Sequence, residues 1–135
     1  MDWSARYIGI PFVDHGRSEL GCDCYGLARL VYRLELGIML PDYQGYASAE
    51  EHAEVAALIA GAAAGTDWLP CRGDRPFDIA VFRRGRLSSH VGIVVDPGLM
   101  LHMVDEDAAK IERIAGPWAA RLMGFWRHVD VAVAS

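Results

Sequence analysis

Apolar residues recur at helical spacing through Leu27, Leu30, Val31 and Leu34. They predict a helix from about Cys24 to Glu35, closed by Gly37 and followed by Pro41. A second helix is predicted to start at Ser48, with Glu51 three residues on completing a capping box, and with Val55, Leu58, Ile59 and Ala62 on its apolar face. Ahead of the first helix, residues 7–12 read as an extended or turn segment and residues 14–21 as a polar loop. From Trp68 the pattern changes to strands. Residues 77–82, 90–95 and 99–104 have β-rich composition, separated by a polar turn around Gly85 and by Asp96-Pro97-Gly98, and residues 111–114 and 124–129 supply two more strands. Helices first and strands second predict an α+β domain with the helices packed on an antiparallel sheet.

Composition narrows the function classes. The 135 residues read as one domain, 1–135, with 53% hydrophobic and 23% charged residues, as in ordinary globular chains. A net charge of -5 without a basic cluster argues against a nucleic-acid partner. The longest nearly apolar run, residues 55–65, is too short to cross a bilayer, and residues 1–6 carry no secretory signal, so neither membrane insertion nor export by a leader is expected. Three cysteines, two of them one residue apart, predict no disulfide framework and a reducing site of folding.

The candidate chemistry starts with Cys22 and Cys24, at the predicted first turn of a helix. Unpaired N–H groups and the positive end of the helix dipole favour thiolate there, the form that attacks carbonyls. A cysteine beside an apolar helix is ordinarily a small core residue, so the thiol gains meaning only with a base. Among the five histidines, His90 and His102 share one hairpin. If Asp96-Pro97-Gly98 is a three-residue loop, Val95 pairs with Leu99, Gly92 faces His102, and the two imidazoles become diagonal neighbours on one face. A slip of one residue would separate them. His52 falls on the polar side of its helix, and His15 and His128 fall near surface turns, where structural roles are the default.

Asp23-Cys24-Tyr25-Gly26-Leu27 resembles the Asp-Cys-Ser-Gly-Leu signature of the NlpC-type cell-wall peptidases, a papain-like family. Leu40-Pro41, residues 78–82, His90-Val91-Gly92-Ile93 and Leu101-His102 are similar to further motifs of that family and occur in its order. Residues 7–12 and Gly124-Phe125-Trp126-Arg127 resemble most the branch found in phage tails and gene transfer agents.

The resemblance implies a papain-like α+β fold, with Cys24 as nucleophile, His90 as base and His102 as the group orienting His90. It implies that the Cys24 N–H contributes to an oxyanion hole and that Tyr7 helps line the site. Asp23 is expected to cap the helix or brace the loop. No metal or cofactor is implied. The implied substrate is the peptidoglycan stem peptide, cut at D-γ-glutamyl-diaminopimelate bonds, and the implied setting is a tail-like particle with tail or baseplate proteins as partners. Three departures stand out: Tyr25 replaces a serine and places a large ring by the entrance, Phe77 replaces a glycine at a turn, and Ser88-Ser89 precedes His90. The rival readings are an inactive structural tail component that keeps the fold, and a metal site built from Cys22, Cys24, Cys71, His90 and His102. A permuted lipid acyltransferase would place its histidine before its cysteine, the reverse of the order here.

Overall fold

The computed structural model describes residues 2–13, 16–40, 68–84, 87–103 and 107–134. The predicted second helix with its Ser48–Glu51 box, Pro41, His15, His52 and the turn residue Gly85 lie outside them. The chain opens with a 3-10 helix, Asp2–Tyr7, and a short hairpin of β1 (Arg17–Ser18) and β2 (Gly21–Cys22) leads into α1, Cys24–Val31. Six further strands follow: β3 (Trp68–Cys71), β4 (Ile79–Arg84), β5 (Leu87–Asp96), β6 (Leu99–Met103), β7 (Ala109–Arg113) and β8 (Leu122–His128). They form one antiparallel sheet in the order β3-β8-β4-β5-β6-β7, an α+β arrangement as expected. Elements that escape the sequence pattern include the opening 3-10 helix, the β1–β2 hairpin, a second 3-10 helix, Gly116–Arg121, and a final helix α2, Val129–Ala134.

The helix α1 is short because its end loosens rather than stops. Residues Tyr32–Leu36 continue it as a π turn, and Gly37, at φ 68°, supplies the left-handed cap. Its N–H reaches Arg33 O at 3.2 Å, and the next N–H, of Ile38, reaches Tyr32 O at 3.1 Å. Seven of the eight α1 residues are buried, all but Arg29, so the helix is surrounded rather than laid on a surface. One side of it packs against β5 and β6. Leu27, Leu30 and Val31 share a core with Ile79, Val81, Val91, Ile93, Leu101 and Met103, the residues of one sheet face. Ala80, Phe82, Val94 and Met100 turn to the opposite face and pack under Trp118 and Leu122.

The hairpin loop differs from expectation by one residue. Gly92 does face His102, but Asp96 rather than Val95 pairs with Leu99, and Val95 is the extra residue of a bulge between Val94 and Asp96. The turn is therefore two residues, Pro97-Gly98. The bulge absorbs the difference, so the register at the histidines is the one expected.

Two tethers hold β4 in place. Asp78, fully buried, accepts from Arg127 of β8 through Nε at 2.7 Å and Nη2 at 2.7 Å, a bidentate pair. Just before it the predicted strand start fails: the strand begins at Ile79, and Phe77 sits at φ 75°, a left-handed conformation that favours glycine. Its neighbours hold it there. The ring stacks on Trp3 at 4.5 Å, the N–H bonds to Val94 O at 2.9 Å, and the carbonyl accepts from the Tyr32 hydroxyl. Phe77→Ala loses the ring contacts and keeps the backbone conflict, whereas Phe77→Gly loses the same contacts and removes the conflict. Urea unfolding is therefore expected to find the glycine variant more stable than the alanine variant by about 1 kcal/mol. An alanine variant equal or superior to glycine would contradict this account.

Candidate active site

Asp23 starts the site. Its extended backbone places the side chain at the helix N-cap, where Oδ1 accepts from the Gly26 N–H at 2.7 Å. The same oxygen accepts from Arg17 Nη1 at 2.8 Å, so a carboxylate with no exposed surface is matched by a cation from β1. Gly26 is required by a close approach: a Cβ there would stand 2.1 Å from the Gly16 carbonyl oxygen. Asp23 is thus a capping and bracing residue, as expected, and it holds the turn that presents Cys24, itself 1% exposed.

Backbone bonds fix where this turn sits on the sheet. Cys22 donates to Pro11 O at 3.1 Å and accepts from Val13 N at 3.1 Å. The same N-terminal segment donates from Gly9 to Ala109 O at 2.9 Å and accepts from the Ala109 N–H at Ile10 O, 2.8 Å. Ala109 opens β7 and pairs with Met103, next to His102. The N-terminal segment therefore ties the Cys24 turn to the end of the sheet that carries the histidines.

His90 and His102 are both fully buried and in direct contact, with His90 Nε2 and His102 Nδ1 2.9 Å apart. The row continues to Glu112 of β7, whose Oε1 lies 2.7 Å from His102 Nε2. Trp118 stacks on the His90 ring at 4.8 Å and meets His102 edge-on at 5.0 Å. Arg121 lies 5.3 Å from the Trp118 ring centroid. Phe82, paired with His90 across β4 and β5, packs against the same imidazole. The two histidines therefore sit with Phe82 and Trp118, and Cys24 stands at the same end of the sheet within the core around α1. Burial lowers the His102 pKa below its ordinary 6.5, outweighing the opposing pull of Glu112.

Several expectations need correction. Tyr25 is 1% exposed, with the Arg17 guanidinium 5.8 Å from its ring centroid, so it is a core residue beneath the turn and not a ring at an entrance. Tyr7 is buried at the end of the first 3-10 helix, and its hydroxyl donates to Glu35 at 2.6 Å. That bond engages the Tyr7 hydroxyl near the C-terminal end of the helical segment that Cys24 begins. His128 is buried rather than near the surface, packed edge-on against Trp68 at 5.0 Å. Cys22, by contrast, is the small core residue that its type predicts by default: it is fully buried, and burial followed by the Asp23 charge pushes its thiol up to about 12. Cys71 lies on β3, separated from β5 by β8 and β4, roughly 14 Å of sheet, so the five-residue metal set does not converge. Among the described residues no group of three His, Cys, Asp or Glu side chains is arranged to hold a metal ion. A cavity of about 550 Å³ lies elsewhere, between the end of the π turn, residues 75–77 and α2.

Glu112 and Trp118 were missed by sequence reading. Glu112 reaches the site only because β7 pairs with β6, and Trp118 only because its 3-10 helix folds over the sheet. Two polar residues flanking Ile111 at strand spacing was the one available signal for Glu112.

Comparison with known proteins shows which family and folds the chain is similar to. The NlpC/P60 family matches residues 9–127. Tail tip assembly protein K of Escherichia phage lambda is 30% identical over 125 residues, 91% of this chain, which spans 62% of the length of that relative. A Staphylococcus aureus protein of the NLP/P60 family, described as similar to a lipoprotein, is 26% identical with a TM-score of 0.66, over 94% of this chain and 39% of that one. The NlpC/p60 domain of the peptidoglycan hydrolase SagA is 21% identical with a TM-score of 0.63, over 93% of this chain and 92% of that domain, and speaks to the fold.

The lowered His102 pKa carries a stability consequence. The folded chain prefers neutral His102, so its contribution is complete above pH 6.5 and is lost as pH falls below that value. Urea midpoints measured at pH 7.5 and pH 5 are expected to fall further for the wild type than for His102→Asn. Parallel losses would show that the histidine does not drive the difference.

Proposed function

From the premise that this chain belongs to the NlpC/P60 family, we propose that it is a cysteine peptidase that hydrolyses amide bonds of peptidoglycan stem peptides, of the D-γ-glutamyl-diaminopimelate type. The observation that supports the reading most is the buried His90–His102 pair at the end of the sheet to which the capped Cys24 turn is bonded. Cys24 is the nucleophile. With His90 Nε2 committed to His102, Nδ1 is the nitrogen that takes the thiol proton. The thiolate attacks the amide carbonyl, and the Cys24 N–H at the helix start stabilises the oxyanion. Collapse of that intermediate breaks the C–N bond as imidazolium His90 gives its proton to the leaving amine. Water, deprotonated by His90, then hydrolyses the thioester. His102 orients His90 throughout.

The tail setting is the second part of the proposal. The similarity to a phage tail tip assembly protein supports a role in a tail-like particle, with tail or baseplate proteins as partners and the bacterial wall as the place of action. Among the described residues no helix is long and apolar enough to cross a membrane.

Purified sacculi incubated with the protein are expected to release new amino groups. Cys24→Ala and His90→Ala are each expected to reduce that release by roughly 10⁴-fold or more. Release that survives Cys24→Ala would remove the nucleophile assignment. A folded wild type that releases nothing would instead favour a structural tail component.

A further inference from the structure

We propose that Glu112 is a positioning residue for His90, acting through His102 by fixing the tautomer of both rings. The inference deepens the peptidase reading and rests on His90 as its base. An ionised carboxylate only accepts hydrogen bonds, so the 2.7 Å contact at Glu112 Oε1 puts a proton on His102 Nε2. Neutral His102 then has only a lone pair at Nδ1. At the 2.9 Å contact between the rings it must accept, and the donor is the Nε2–H of His90. His90 is thereby held with Nδ1 as its basic nitrogen.

The row also suits the next state. When the Cys24 S–H proton arrives at His90 Nδ1, sulfur keeps the electron pair and the ring becomes an imidazolium. Its Nε2–H still donates to His102 Nδ1, so no hydrogen bond in the row has to reverse. Trp118 fixes both ring planes, stacked on one imidazole and edge-on to the other. Lys110 Nζ lies 3.8 Å from Glu112 Oε1 and 2.9 Å from Asp107 Oδ2, so its charge is shared and Glu112 keeps its bond to the histidine.

Without Glu112 nothing in the row requires the His102 proton to sit on Nε2. With the proton on Nδ1, His102 would donate to His90 Nε2. The His90 proton would then be driven onto Nδ1, where it cannot accept from a thiol. Glu112 does not touch the reacting atoms, so its effect belongs in the fraction of molecules with a competent base and not in substrate affinity.

Nitrogen NMR of the ¹⁵N-labelled chain at pH 8 tests the proposal without requiring activity. Wild type is expected to show His90 protonated at Nε2 and bare at Nδ1, and Glu112→Ala a mixture of tautomers. On sacculi, Glu112→Ala is expected to lower kcat about 10- to 100-fold with KM unchanged. In a His102→Ala background no ring links Glu112 to His90, so adding Glu112→Ala should change kcat less than about twofold. If Glu112→Ala does not fold, Glu112→Gln carries the same comparison, its reversible amide giving an intermediate mixture. A single wild-type tautomer retained at His90 in these variants would overturn the proposal, as would the full loss recurring in the His102→Ala background. The expected tautomer in a wild type that releases no amines would uphold the proposal and refute the peptidase reading.

Discussion

The register between β5 and β6 is the constraint on which the site depends. Opposite Gly92, His102 falls diagonal to His90, and the two rings meet at 2.9 Å on one sheet face. A slip of one residue would put the two imidazoles on opposite faces of the sheet and break their contact. The bulge at Val95 and the two-residue turn hold that register, and the apolar alternation of Val91, Ile93, Leu101 and Met103 against α1 enforces it. Packing and chemistry therefore select the same pairing.

How much of this was legible varies with the range of the interactions. The start of α1, its close at Gly37 and the Asp23 cap depend on residues within a few positions of one another, and local reading found them. The π turn at Tyr32–Leu36 was not visible, because apolar periodicity does not distinguish it from a last α turn. The hairpin register was legible although its loop was misjudged by one residue, since a bulge leaves the alternation of the longer strands intact. Tyr25 was misread because a tyrosine beside a reactive thiol resembles an exposed ring, and only the surrounding layers show it beneath the turn. Glu112 and Trp118 come from segments ten or more residues away, so only tertiary pairing reveals them.

Phe77 shows how a departure from the family pattern is accommodated. The left-handed backbone at that position accounts for the family's glycine, and a phenylalanine there carries a conformational cost. Stacking on Trp3 and the bond from Tyr32 to its carbonyl offset that cost, and the adjacent Asp78–Arg127 pair anchors the strand that follows. That strand, β4, supplies Phe82, which packs against His90. The departure is confined to a turn and leaves the histidine row intact.

The central claim is that the buried imidazole row activates the Cys24 thiol. The most direct test follows iodoacetamide alkylation at Cys24 against pH, residue by residue, with mass spectrometry. The account predicts that Cys24 reacts as a thiolate well below the usual cysteine pKa of about 8.5 and that His90→Ala abolishes this low-pH reactivity. A Cys24 titration at or above that value, or one unchanged by His90→Ala, would contradict it.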